Sequence, residues 1–139
     1  MWAMINIPSW MFQSTFEKLR EQLINTQQIV SLNQNGRGVF GSDFGSVSFV
    51  IKNTRAFSSG IYRRLFKQHV QVRTVETIHE LYLDTSYGYY VANQTNFNRI
   101  PGKAFGYWLN ENQLELFQKS YLSKANKHFE NGMVIMNIY

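Results

Sequence analysis

The order of apolar and capped segments predicts an α/β layer, and two observations carry that expectation. An almost wholly apolar opening segment runs into a helix start and then into a second β-rich segment, the succession of a βαβ unit. A third segment rich in Val, Ile and Phe follows across a glycine-rich stretch and adds a further strand. A crossover of this kind is expected to be right-handed, with its two strands parallel.

The opening residues 1–12 are interrupted by Pro8 and Ser9, which fits a short buried strand running into a loop at its carboxyl end, a position that often faces ligands. Ser14, Thr15, Phe16 and Glu17 form a capping-box pattern, in which the serine hydroxyl and the glutamate carboxylate each satisfy a backbone donor at a helix start. Phe16, Leu19 and Leu23 recur at helical spacing while Glu17, Lys18, Arg20 and Glu21 cover the other side, so one stripe is expected on the core and the helix should end near Asn25. Residues 28–33 and 47–53 read as strands flanking the glycine-rich stretch 36–46, and residues 61–66 as another after the Ser58-Ser59-Gly60 turn. Beyond about residue 70 the pattern weakens. Residues 75–83 suit a short helix, and 82–91 are tyrosine-rich without a clean period. Residues 113–127 have helical composition, with Leu114, Phe117 and Tyr121 on one side, and 133–139 look like a strand.

With no cysteine, disulfides, thiolate zinc sites and thiol nucleophiles are excluded. No apolar run approaches the roughly 18 residues of a membrane span, and no basic start precedes an apolar core, so a soluble, cytoplasmic protein is expected. The net charge of +5 favours polyanionic partners, because each phosphate neutralised releases condensed counterions. Arg37, Lys52, Arg55, Arg63, Arg64, Lys67 and Arg73 stand against the single acid Asp43, so the basic part is the middle of the chain. A solvated cationic face with no specific ligand is the competing reading.

The stretch from Gly36 to Gly45 puts four glycines together with Phe40 and Phe44 at a strand end. Glycines let the backbone approach a flat or anionic group, and an aromatic face stacks on a nucleobase; alternatively, the phenylalanines plug the core of a tight connection. The Gly-x-Gly lacks a third glycine and leads to a strand rather than a helix, so the dinucleotide fingerprint is not met. His69, His79 and His128 have no metal-ligand spacing, and nothing beside Asp43, Glu80 or Asp84 marks a catalytic acid or base.

The run Met4-Ile5-Asn6-Ile7-Pro8-Ser9-Trp10-Met11-Phe12 followed by Phe16-Glu17-Lys18-Leu19-Arg20 resembles the segment after the catalytic motif in PglX-like adenine-specific DNA methyltransferases of BREX phage exclusion. The resemblance continues through residues 29–35, 36–45, 48–53 and 62–65, returns at Ile100-Pro101-Gly102 and Tyr107-Trp108, and covers most of residues 3–117. It implies a partial Rossmann-like sheet of an S-adenosylmethionine-dependent methyltransferase, namely its carboxyl-terminal strands with one crossover helix. Residues 1–110 would be the later part of the catalytic domain, and 111–139 a divergent tail or the start of a target-recognition region.

The family moves a methyl group from S-adenosylmethionine to the exocyclic amino group of adenine in DNA. Its donor loop and its Asn-Pro-Pro-Tyr motif, which positions and stacks on the flipped base, are both absent from this sequence. The resemblance therefore implies a chain that is inactive alone, binds no S-adenosylmethionine by itself, and works with DNA and an amino-terminal methyltransferase half or other BREX components. By similarity Phe40 contacts the extruded adenine, Phe44 is the nearby alternative, and Pro8 and Ser9 border the same pocket. Arg37, Arg63 and Arg64 would hold DNA phosphates. Two other readings stay open: a non-catalytic nucleic-acid-binding module, and a degenerate gene remnant with exposed apolar edges.

Overall fold

In a computed structural model that describes residues 1–41, 44–55, 58–67 and 71–119, five strands form one sheet among the described residues. They are β1 (Trp2–Asn6), β2 (Gln28–Arg37), β3 (Gly45–Lys52), β4 (Ser59–Arg64) and β5 (Tyr89–Asn93), in the order β1-β3-β2-β4-β5. Helix α1 (Glu17–Thr26) crosses from β1 to β2, α2 (Val75–Leu83) follows β4, and residues 111–119 are helical. The segments expected at 28–33, 47–53, 61–66 and 75–83 are all present as the predicted type. The expected strand 133–139, Tyr121, Asp43, His69 and His128 lie outside the described residues.

The first crossover departs from expectation. β1 and β2 run in the same direction, as a βαβ unit requires, but they are not neighbours, because β3 lies between them and pairs antiparallel with both. β1 is consequently an edge strand, and it is not buried: Trp2, Met4 and Ile5 are 38%, 50% and 45% exposed. The only parallel pair of strands among the described residues is β2 with β4.

Alternation places the core. In β3, Val47, Phe49 and Ile51 point to one face, and the paired positions Leu32 of β2 and Tyr62 of β4 lie in the same row. Ile29 and Leu32 both reach this face although three residues apart, because an irregularity in the ladder between Ile29 and Ser31 resets the phase. Against this face pack Trp10, Met11, Ile24, Phe97, Ile100, Phe105, Tyr107 and Leu114. The aromatic rings meet edge to face, as with Trp10 against Phe49 and Phe105 at 5.3 and 5.2 Å, or stacked, as with Tyr62 on Tyr107 at 5.0 Å.

Two details of α1 correct the sequence reading. No side chain caps its start; Ser14 to Phe16 form a 3₁₀ turn instead of a capping box. The buried stripe is also rotated: Arg20 and Ile24 are fully buried, Phe16 and Leu23 partly so, and Leu19 is 42% exposed. Burial of Arg20 is sustained by hydrogen bonds to the carbonyls of Trp10 (2.8 Å), Gln13 (2.7 Å) and Gly102 (2.9 and 2.6 Å). A capping box does occur at the last described helix, where the Asn110 and Gln113 side chains each accept the other's backbone N–H at 3.0 Å.

Candidate nucleic-acid interface

Because β1, β2 and β4 run the same way, their carboxyl ends at Asn6, Arg37 and Arg64 share one margin of the sheet, where antiparallel β3 and β5 begin at Gly45 and Tyr89. Ligands of open α/β sheets bind outside such carboxyl ends. The sequence-predicted residues Pro8, Ser9, Arg37, Phe40, Phe44 and Arg64 all lie on the segments that meet along this margin.

At the β1 end, Ile5, Asn6, Ile7, Phe40, Phe44, Gly45 and Ser46 line an open pocket of about 230 Å³. Phe40 and Phe44 are 67% and 75% exposed, so neither plugs the core. Asn6 is held at the rim by the Trp10 indole N–H, which donates to its Oδ1 at 2.9 Å. Pro8 and Ser9 follow Ile7 in a 3₁₀ turn, Pro8–Met11, half-buried and outside the pocket lining. The sequence reading missed Ile5, Asn6 and Ile7, whose place opposite Phe40 depends on the β1–β3 pairing.

The glycines of this stretch divide into two uses. Gly36 and Gly38 have φ of +74° and +111°, and a Cβ on either would collide with Arg73, on its guanidinium at Gly36 and its backbone carbonyl at Gly38. They let the segment around Arg73 close on the end of β2, where the Arg73 N–H donates to the Arg37 carbonyl at 3.2 Å. Gly41, at φ +63° with nothing within 4 Å of an added Cβ, only turns the loop that carries Phe40. This close packing also bears on S-adenosylmethionine: the Gly-x-Gly backbone is filled by Arg73 and leads into the β2–β3 hairpin, so the residues present do not form a donor cradle.

The three candidate phosphate contacts differ in setting. Arg63 is 5% exposed, and its guanidinium donates to the carbonyls of Leu81, Tyr82, Asp84 and Tyr87 at 2.8–3.0 Å, gathering the carboxyl end of α2 and the turn after it. That burial assigns Arg63 to the fold and takes it out of reach of a DNA backbone. Arg37 is half-buried at the end of β2. Arg64 is half-buried too, its guanidinium lying over the Phe66 ring at 5.0 Å and the Trp108 ring at 5.1 Å.

Beside Arg64 a second pocket of about 300 Å³ is lined by Phe66, Lys67, Tyr87, Gly88 and Tyr90. Gly88 is obligatory there, because at φ +55° its Cβ would strike the Arg64 carbonyl and its own carbonyl accepts the Arg64 N–H at 2.8 Å. The sequence reading missed this cluster; the aperiodic tyrosine run was its signal. Below it the Tyr107 hydroxyl donates to Gln34 Oε1 at 2.5 Å, and burial raises the pKa of both Tyr107 and its stacked neighbour Tyr62, so both hydroxyls stay protonated.

Asp84 turns the chain after α2, accepting from the Ser86 hydroxyl at 2.6 Å and N–H at 2.9 Å, and these bonds lower its pKa. His79 and Glu80 are exposed on α2. No described group of three or more His, Asp or Glu is placed to hold a metal ion. No helix among the described residues is long and apolar enough to cross a membrane.

No protein-family model matches the chain. It is 32% identical over 124 residues, 85% of its length, to the adenine-specific methyltransferase PglX of Lacticaseibacillus casei (strain Zhang). It is 31% identical over 110 residues, 76% of its length, to the adenine-specific methyltransferase BrxX of Escherichia coli O9:H4 (strain HS). The chain spans only 10% and 9% of these two relatives. Among solved structures, its fold is similar to a modification subunit assigned to a type I restriction enzyme from Vibrio vulnificus YJ016, with a TM-score of 0.51 at 10% identity over 68% of this chain and 23% of that one. It is also similar to a chain of a type I restriction-modification system, with a TM-score of 0.52 at 13% identity over 94% of this chain and 36% of that one. The sequence comparisons therefore show that the chain is homologous to one segment, about a tenth, of the PglX and BrxX adenine-specific methyltransferases.

Proposed function

We propose that this segment forms the target-base side of an adenine-specific DNA methyltransferase of a BREX-type phage-defence system. The observation that carries the reading is the pair of exposed phenylalanines, Phe40 and Phe44, set around a pocket at the carboxyl end of β1. An exposed aromatic ring over an open pocket suits an extruded adenine, and stacking of this kind is worth roughly 1–3 kcal/mol per base. Arg37 and Arg64 hold backbone phosphates at the neighbouring ends of β2 and β4, Arg63 stiffens the β4 end beside them, and Pro8 and Ser9 shape the approach after Asn6 and Ile7.

The chain carries neither a donor loop nor an Asn-Pro-Pro-Tyr motif, so chemistry requires an amino-terminal methyltransferase half that brings S-adenosylmethionine and the groups that position the adenine amino nitrogen. The outer edge of β1 pairs with no described strand and carries exposed Trp2, Met4 and Ile5, which gives such a half a place to add its own strand. Residues 111–139 are then a divergent tail or the start of a target-recognition region.

The test is to co-express the chain with an amino-terminal half containing both missing signatures and to measure adenine methylation of DNA. Methylation that needs both parts, and that drops about tenfold or more in the Phe40→Ala variant, supports the reading; unchanged methylation kinetics in that variant would sink the role of Phe40. A second reading, a DNA-binding module without chemistry, is favoured only by the basic Arg64 margin, and it predicts salt-sensitive DNA binding with no methylation under any pairing.

A further inference from the structure

The guanidinium groups of the described fold differ in what they face. Arg20 donates to backbone carbonyls through all three of its nitrogens, Arg63 does so through its two terminal nitrogens while its Nε has no partner among the described residues, and Arg99 pairs with Glu111 at 2.7 Å while its Nε has none either. Arg64 instead lies between two ring faces, and its buried Nε has no acceptor among the described residues. Arg73 repeats the pattern on the same Phe66 ring at 5.8 Å, with Nε and Nη1 also unpartnered and only Nη2 bonded, to the Asn35 carbonyl at 2.7 Å. An orphan Nε is thus shared by several arginines, but Arg64 differs from Arg20, Arg63, Arg73 and Arg99 in that its guanidinium makes no hydrogen bond or ion pair to a described residue, and an anion is the group that satisfies such a cation.

The pocket in front of Arg64 supplies the rest of a ligand site. Lys67 stands exposed at its rim, and Tyr87 and Tyr90 provide rings beside the cation, while no acid is among the described residues that line it. A cationic notch flanked by aromatic rings is the arrangement that holds an unpaired nucleotide without reading its sequence. A volume of about 300 Å³ suits one nucleotide rather than two.

We infer that the Arg64 pocket binds one unpaired nucleotide of a DNA strand, with its phosphate on Arg64 and Lys67 and its base against Tyr87 or Tyr90. The inference rests on the chain being a DNA-facing segment, and it adds a second, base-tolerant subsite apart from the Phe40 pocket. Trp108 fixes the guanidinium plane from behind and itself leans on Phe12 at 6.1 Å, which ties this subsite to the segment after β1.

The experiment measures binding of the whole chain to a labelled duplex carrying a single unpaired thymidine, to the same duplex fully paired, and to free thymidine 5′-monophosphate. Thymidine is chosen because it does not report the adenine role given to Phe40. The expected result is about tenfold preference for the duplex with the unpaired nucleotide. Arg64→Gln and Lys67→Ala should each remove most of that preference and lower the salt slope by about one charge. Lys67 is exposed, so its substitution leaves folding intact, and thermal unfolding of each variant checks this. Lys52→Ala, which removes an exposed cation at the opposite end of β3 from both pockets, should keep the preference. If Arg64→Gln and Lys67→Ala both retain it, the subsite is overturned while the methylation test of Phe40 stands on its own. Tight binding of the free monophosphate with no preference among duplexes would overturn the assignment to DNA.

Discussion

Arg20 and Gly102 stand 82 residues apart in the chain, yet the guanidinium of one donates twice to the carbonyl of the other, at 2.9 Å from Nε and 2.6 Å from Nη2. The contact clamps α1 to the Pro101–Lys103 turn, where Gly102 and Lys103 both take positive φ, +62° and +53°. Lys103 pays for that conformation with about 1 kcal/mol of strain, and it is held by Glu17 and Glu21 at 3.9 and 3.4 Å. Burial lowers the Arg20 pKa, with Glu17 opposing, but an arginine stays charged throughout the accessible range. Arg20→Met leaves the carbonyls of Trp10, Gln13 and Gly102 without this donor and should cost about 3 kcal/mol, read as a lower urea midpoint. A midpoint within error of the parent would show that water replaces the guanidinium.

Gly38 and Gly41 have similar sequence surroundings and opposite structural demands. Gly38→Ala drives a methyl group into the Arg73 carbonyl and should destabilise by about 3 kcal/mol or more. Gly41→Ala meets nothing within 4 Å and should cost only about 1 kcal/mol of left-handed backbone strain. Thermal unfolding of the two variants side by side measures the difference, and equal losses would contradict the packing of Arg73 on β2.

Phe40→Ser and Phe44→Ser remove large side chains that the fold leaves 67% and 75% exposed. Each should change stability by less than about 0.5 kcal/mol. A calorimetric loss of several degrees would place these rings in the core and remove the reason to assign them to a ligand.

Acidification should act through exposed carboxylates. The Arg99 guanidinium donates to Glu111 at 3.0 Å and lowers its pKa, and the Ser86 hydroxyl and N–H do the same for Asp84. A carboxyl whose pKa is depressed by folding stabilises fully above its unfolded value, about 4 for these groups, and loses that contribution as pH falls through its folded value. The melting temperature should therefore decline below about pH 4, and the double variant Glu111→Gln with Asp84→Asn should flatten that decline. An unaltered slope in the double variant would assign acid sensitivity to other groups.

How much of this was legible in the sequence depends on the range of the information. Enrichment in Val, Ile and Phe located β3, and the helical recurrence of Phe16, Leu19 and Leu23 located α1, because both signals are local. The insertion of β3 between β1 and β2 was not legible, since periodicity reports which face a residue takes and not which strand is its neighbour. The α1 stripe was misread by one position because a charged side chain was taken as solvent-facing, whereas the carbonyls that accommodate Arg20 come partly from a turn far along the chain. At the site, Phe40 and Phe44 were reached through family resemblance. Asn6, Tyr87, Tyr90 and Trp108 were not, because only the shared margin of the sheet brings their segments together.

The place of β3 also sets an order of assembly. Among the described residues β1 pairs with β3 alone, so its seat depends on β3, which the β2–β3 hairpin holds in place. The hairpin closes over a short loop, whereas recruiting β1 closes a loop of some forty residues, which is entropically dearer and slower. Amides of β1 should therefore exchange with solvent ahead of those in β2, and the earliest of the five described strands in sequence would be among the last to find its seat.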